Sequence, residues 1–263
     1  MGNVKAEDFK VPTFDLSGKV AVVTGGTKGL GYGMVLTLAA YGAKVVVASR
    51  SQKDCDDVAN AVKSLGQEAI GIRADVTVKE DLDELIAKTV ETYGRVDIMV
   101  NNAGMGITKR VTEMSQEEWD TVINTNLRGV FFGAAAAAKE MIKQGEGGRI
   151  INISSAGGLV GTKNIAAYCA SKSGVISLSK TMAMEWGKYG ITANSICPGY
   201  IPTEINSKPL EIPSVRDQIV GRTALKRLGT IEELSSVVLF LASDASSIVT
   251  GATIAADMGT TAN

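Results

Sequence analysis

Short apolar runs alternate with longer segments in which apolar positions recur every three or four residues, and the rhythm holds from Leu16 almost to the C-terminus. The spacing predicts strands at Val20–Thr24, Lys44–Ala48, Ala69–Arg73, Ile98–Val100, Arg149–Ser154, Thr192–Ile196 and Thr253–Ala256. Several are unbroken Val/Ile runs, the pattern of strands covered on both faces. Helices are predicted near Leu30–Tyr41, Gln52–Leu65, Lys79–Tyr93, Gln116–Lys143, Ala166–Lys188 and Ile231–Leu241. Ser51 with Asp54, and Ser115 with Glu118, have the spacing of capping boxes at two helix starts. Gly42, Gly66, Gly94 and Gly190 stand where helices should stop. Strand–helix alternation over the whole length predicts an α/β fold, a single-domain, doubly wound parallel sheet with helices on both faces. No linker or repeat divides it, so residues 1–15 read as an N-terminal extension and 16–263 as one domain.

Two features depart from this rhythm. The segments Gln116–Lys143 and Ala166–Lys188 are long for connecting helices, and Ala134–Ala138 is an unbroken alanine run. Alanines there suit either tight core packing or the close approach of a second copy of the chain. The stretch Tyr200–Gly221, with Pro202, Pro209 and Pro213, follows a strand and reads as a substrate lid, because ligands bind beyond the carboxyl ends of strands in open α/β sheets.

Composition narrows the chemistry. The 263 residues carry 27 basic and 28 acidic side chains, with no basic cluster to suggest nucleic acid or an anionic membrane. No apolar stretch approaches the ~18 residues of a membrane span. Cys55, Cys169 and Cys197 form no CxxC pair, which suits free thiols in a reducing cytoplasm. Cys169 reads as a small buried residue, and Met182, Met184 and Trp186 as core or interface filler. There is no histidine, so the commonest general base and the usual His-containing zinc site are absent, and no metal is expected.

Thr24-Gly25-Gly26-Thr27-Lys28-Gly29-Leu30-Gly31 follows the first strand and opens a helix. Glycines there let a pyrophosphate approach backbone N–H groups, and the helix N-terminus adds partial positive charge. The spacing is G-x-x-x-G-x-G, and a plain structural turn is the competing reading. The second strand ends in Ala48-Ser49-Arg50, without the carboxylate that would bind a ribose 2′-hydroxyl. Lys28 and Arg50 would instead attract a 2′-phosphate, which favours NADP(H), unless both are merely solvated. Asp75-Val76, after the third strand, could meet adenine or cap a turn. Asn102-Ala103-Gly104, after the fourth, suits a backbone passing close to ribose, or an Asn/Gly turn.

Tyr168 precedes Lys172 by one helical turn, and Ser155 lies thirteen residues upstream of the tyrosine. Residues i and i+4 share a helix face, so a phenol and an ammonium can act together. A phenol near pKa ~10 is a poor base at neutral pH. A positive charge ~4 Å away at an effective dielectric of ~20 is worth about 4 kcal/mol, enough to lower it by roughly 3 pH units before desolvation subtracts some. The bland alternative is an amphipathic pair with the lysine snorkelling to water.

Together these residues resemble the short-chain dehydrogenase/reductase family, from about Leu16 to Gly259. The matching pieces are the Gly25/Gly29/Gly31 turn, Asp75, Asn101–Gly104, Asn126, Ser155, Tyr168, Lys172 and Pro198-Gly199. The resemblance implies a Rossmann-type fold of about seven parallel strands and hydride transfer between a nicotinamide and an alcohol/carbonyl pair. It implies Tyr168 as general acid/base and Lys172 on the nicotinamide ribose. Ser155 would hold the substrate oxygen, and Asn126 would steady a helix backbone and a water chain leading to Lys172. Pro198, Gly199, Ile201 and Thr203 match positions near the nicotinamide. It also implies a homotetramer, or homodimer, built on the two long helices. One departure is Asp257-Met258-Gly259, where relatives usually carry Asp-Gly-Gly.

The substrate is less legible. The pocket is expected from Met105–Ile107, Ala156–Val160, Lys163-Asn164 and the 200–221 lid, with Lys109, Arg110, Lys163, Lys208 and Arg216 nearby. The wording around Thr108–Val111 and Pro198–Ile201 is similar to family members acting on sugar acids or polyols, gluconate 5-dehydrogenases among them. A 3-oxoacyl-[acyl-carrier-protein] reductase, with Lys139, Lys143 and Lys188 as docking cations, a hydroxysteroid enzyme, and a non-enzymatic NADP(H) sensor or scaffold are the alternatives.

Overall fold

A computed structural model describes residues 11–204 and 210–262. Seven parallel strands form one sheet in the order β3-β2-β1-β4-β5-β6-β7. They are β1 Val20–Thr24, β2 Lys44–Ser49, β3 Ala69–Arg73, β4 Ile98–Asn101, β5 Gly148–Ile153, β6 Ile191–Pro198 and β7 Thr253–Ala256. The Val/Ile runs are continuous because both faces are covered. Ala21, Val23, Val45 and Val47 join a core with α1 (Gly29–Ala40), α2 (Gln52–Ser64) and α8 (Ile231–Ala242). Val20, Val22, Val46 and Met99 face α3 (Lys79–Tyr93), α5 (Gly129–Gln144) and α6 (Ala166–Trp186). Each fully buried valine or isoleucine stabilises by roughly 1.5–3 kcal/mol, so a register slip that exposed them is strongly disfavoured. The core begins at Leu16, whose N–H donates to Tyr41 O at 2.8 Å.

Several expectations are corrected. Gln116–Lys143 is not one helix. It divides into α4 (Gln116–Ile123), a π-helical turn over Asn124–Arg128, and α5. Gly129 N donates to Asn124 O five residues back, a widening that hydrophobic period cannot show. The alanine run is core packing within the chain, with Ala134, Ala136, Ala137 and Ala138 buried. Part of the expected lid is α7, Pro213–Gly221, with proline at its start; Lys208 and Pro209 lie outside the described residues. The capping box at α4 is complete, whereas Ser51 only accepts from Asp54 N at 3.2 Å. The aspartate is one methylene shorter than a glutamate and makes no return bond. Of the two readings of Met184, core or interface, its exposure excludes the core.

The strand order reverses between β1 and β4, whose loops diverge at their carboxyl ends. That is the topological switch point at which open α/β sheets form a crevice.

Candidate active site

The crevice is a cleft of ≈ 700 Å³. Its first wall is the turn from β1 into α1. Gly25 and Gly29 have φ of 63° and 54°, in the left-handed region. A methyl group at Gly31 would stand 2.1 Å from Gly25 O and 2.6 Å from Asn102 Nδ2, so no side chain fits between turn and helix. Asn102 Nδ2 closes the turn by donating to Thr24 O at 3.0 Å and Gly25 O at 3.1 Å. Thr24 Oγ1 accepts from Asn102 N and Ala103 N at 3.1 and 3.2 Å, tying β1 to β4. No side chain caps α1 and no acidic residue occupies its first turn, so its N-terminal N–H groups remain available to an anion. Thr27, Leu30 and Gly104 line the same wall.

Lys28 and Arg50 are exposed on the cleft rim. Among the described residues neither has an ion-pair partner. Ser49 Oγ is held by Ser51 O at 3.3 Å and Cys55 Sγ at 3.1 Å. Asp75 caps a turn: its Oδ1 accepts from Thr77 N at 2.9 Å and Thr77 Oγ1 at 2.7 Å. Burial pushes the Asp75 carboxyl up, but these bonds, with Arg50 and Arg73 nearby, win and hold it below the usual range. Asp75 and Val76 both line the cleft, as do Pro198, Gly199, Ile201 and Thr203 opposite.

Ser155, Tyr168 and Lys172 meet at the other end. The Tyr168 ring lies between Gly106 and Gly157, where added methyl groups would touch it at 3.4 and 3.6 Å. Ser155 Oγ accepts from Gly157 N at 3.0 Å. Lys172 is 3% exposed, and its Nζ donates to Ile153 O at 2.8 Å and lies 5.7 Å from the Tyr168 ring centroid. Burial pulls the Lys172 ammonium down to about 8. Burial also pushes the Tyr168 phenol above its ordinary value, and the Ser155 hydroxyl pulls it back in part. The expected lowering of Tyr168 by Lys172 is therefore not met. Desolvation disfavours both charged forms, and the ammonium is bonded to a main-chain carbonyl.

Asn126 is fully buried behind the cleft rather than lining it. The π turn aims it at the loop after β4. Its Oδ1 accepts from Met105 N and its Nδ2 donates to Met105 O, both at 2.8 Å, with Ser171 Oγ at 3.1 Å. It steadies that loop, not a helix backbone as expected. Of the anticipated substrate cations, Lys109 is paired with Glu118 at 2.6 Å and Arg110 with Glu113 at 3.8 Å. Met105 and Gly106 line the cleft; Ile107 and 156–160 do not.

The family model described as Enoyl-(Acyl carrier protein) reductase matches residues 25–261. The chain belongs to the short-chain dehydrogenase/reductase family. It is 40% identical over 247 residues to 2-dehydro-3-deoxy-D-gluconate 5-dehydrogenase of Escherichia coli, covering 94% of this chain and 96% of that one. It is 38% identical to the 3-oxoacyl-[acyl-carrier-protein] reductase of Thermotoga maritima, over 93% of this chain and 98% of the relative. Among solved structures, a gluconate 5-dehydrogenase from Burkholderia cenocepacia in complex with NADP and tartrate has a TM-score of 0.92 at 34% identity, over 95% of this chain and 98% of that one. The chain is thus an oxidoreductase acting on CH–OH donors with a nicotinamide cofactor, and the glycine cradle and uncapped helix fit such a dinucleotide.

Sequence reasoning gave Thr24 no role within its motif and missed Ser154, Ser171 and the cleft-lining Asn124 and Thr125. Thr24 opens its motif and Ser154 adjoins Ser155, so both could have been found as hydroxyls at strand ends. Asn124 and Thr125 reach the cleft through the π turn, for which the sequence carries no periodic signal.

Proposed function

We propose that this short-chain dehydrogenase/reductase uses NADP(H) to interconvert a secondary alcohol and a ketone, with a sugar acid or polyol as substrate. One observation carries the reading. Ser155, Tyr168 and Lys172 share a single cleft with an uncapped glycine turn rimmed by two cations, Lys28 and Arg50, that lack ion-pair partners among the described residues. A nicotinamide bound between the glycine turn and Lys172 would supply or accept the hydride. Tyr168, held protonated by burial, donates the proton to a carbonyl oxygen during reduction and receives it in the reverse direction. Ser155 holds that oxygen beside the phenol. Lys172 keeps positive charge near the phenol and offers donors to a ribose. Asn126 positions the Met105 peptide and, through it, the loop that borders the substrate.

The preference for NADP(H) is supported by the absent carboxylate at the end of β2 and by the two rim cations. The Burkholderia neighbour's complex with NADP points the same way, and its tartrate, a hydroxy acid, together with the named activity of the Escherichia coli relative, supports a sugar-acid substrate. Neither Lys163 nor Arg216 lines the cleft, so no expected cation is placed on a substrate carboxylate. The second reading, a 3-oxoacyl-[acyl-carrier-protein] reductase, is favoured by the Thermotoga relative. A homo-oligomer is supported by exposed Trp119 and Phe131 on α4 and α5. Residues 16–263 are read as one catalytic domain in the cytoplasm; no helix of the described residues is long and apolar enough to cross a membrane. The test is NADPH and NADH oxidation against sugar acids, ketoses, 3-oxoacyl thioesters and oxosteroids. Turnover confined to the thioesters would transfer the assignment to the second reading.

A further inference from the structure

Met258 follows β7 with φ 56°, in the left-handed region, and has no short polar side chain to ease that conformation. The turn is clamped by buried Asp257. Its Oδ1 accepts from Gly259 N at 3.0 Å, and its Oδ2 accepts from Thr261 N and Thr261 Oγ1 at 2.9 and 2.7 Å. Asp257 also lies hard against the cleft wall, since a methyl at Gly199 would stand 2.7 Å from Asp257 Cα. The strained residue is thus fixed to the foot of the Pro198–Thr203 wall.

The Met258 side chain leads to the same wall. A methyl at Gly229 would stand 2.8 Å from Met258 Sδ and 3.1 Å from Ile201 Cγ1. The bare face of Gly229 is where thioether and isoleucine converge. Ile201 is 4% exposed, and what little surface it keeps faces the cleft. Met258 O accepts from Leu225 N at 3.2 Å, and Gly229 N donates to Tyr200 O at 3.1 Å. Both Leu225 and Gly229 lie on the connection from α7 to α8. Met258 therefore sits between the wall of the cleft and the segment that carries the lid helix.

A residue in a sparsely populated conformation persists where its surroundings over-determine it, and such positions cluster at functional sites. An unbranched thioether also suits an irregular gap between two packed segments. We propose that Met258 is a positioning residue for the dinucleotide site. Its side chain backs Ile201 and couples that wall to the lid connection, at the expense of a strained backbone. This rests on the reading of the cleft as a dinucleotide site.

The test is a double-mutant cycle on the full chain with Met258→Gly, Gly229→Ala and both together. Melting is measured without nucleotide, and NADPH affinity by nucleotide fluorescence. Met258→Gly is expected to melt no lower than the unmodified chain, because relief of the left-handed strain offsets the lost contact, and to bind NADPH at least about threefold more weakly. Gly229→Ala alone is expected to weaken binding too, through collision with the thioether. The double variant should regain affinity, because with the thioether gone the new methyl backs Ile201 directly, and Ile201 need give by only a few tenths of an ångström. Three results overturn the proposal: Met258→Gly affinity within threefold of the unmodified chain, a lower melting temperature accompanying the loss, or a double variant no tighter than Met258→Gly. Failure of the unmodified chain to bind NADPH or NADH removes the functional reading itself, and this proposal with it.

Discussion

Lys172 Nζ donates to the main-chain carbonyl of Ile153 at 2.8 Å, at the carboxyl end of β5. The bond holds a buried cation at the foot of the cleft, beside a phenol that burial pushes above its ordinary value. With the ammonium pulled from 10.5 to about 8, its charged form costs the folded state on the order of 3 kcal/mol at pH below about 8. The folded chain binds fewer protons than the unfolded chain between about 8 and 10.5. Stability from this group therefore rises with pH through that window.

Lys172→Met is expected to remove this cost while leaving Ile153 O unpaired, a loss of about 1–3 kcal/mol. The variant should melt at or above the unmodified chain at neutral pH and fall below it near the upper end of the window. Melting curves at the two pH values check this. A difference that does not change with pH would mean the ammonium is not held as described.

Tyr168→Phe is expected to keep NADPH affinity and lose turnover by about 10²–10⁴-fold, the usual contribution of a positioned acid/base. Burial keeps the phenol protonated, so alcohol oxidation by the unmodified enzyme should accelerate as pH rises above neutrality. Paired binding and initial-rate measurements decide the point. Near-normal turnover in the phenylalanine variant would place the proton elsewhere.

Ser49→Asp with Arg50→Ala is expected to raise the NAD/NADP ratio of kcat/KM by roughly 10–100-fold. The change removes one charge-assisted partner of a 2′-phosphate and adds a repelling carboxylate. An unchanged ratio would put the 2′-phosphate away from the β2 terminus.

Asn126→Ala is expected to lower stability by about 2–4 kcal/mol, since it leaves the Met105 peptide and Ser171 without their buried partner. For a chain of this length that corresponds to a fall in Tm of about 5–15 °C. Calorimetry checks it, and a Tm held within a degree or two would show that water replaces the amide.

The continuous Val/Ile strands, the Gly25–Gly31 turn and the Tyr168/Lys172 pair were legible because each is a local pattern. Its meaning depends on neighbours within one turn or one strand. The break at Asn124–Arg128 was not legible, because a single widened turn leaves the hydrophobic period nearly intact. The pairing of Lys109 with Glu118 was hidden for another reason. Both partners read as ordinary solvated charges until the loop after β4 and α4 are folded together.

By itself the sequence determined the layered parallel architecture and the inventory of chemical groups, because strand burial and helix spacing follow from side-chain type and order. Only the tertiary structure decided the charge states and the supports. Whether an ammonium lowers a phenol, whether an asparagine holds a helix or a loop, and whether a methionine backs an isoleucine depend on desolvation and on contacts between residues far apart in the chain. Local sequence pattern carries no record of those distances.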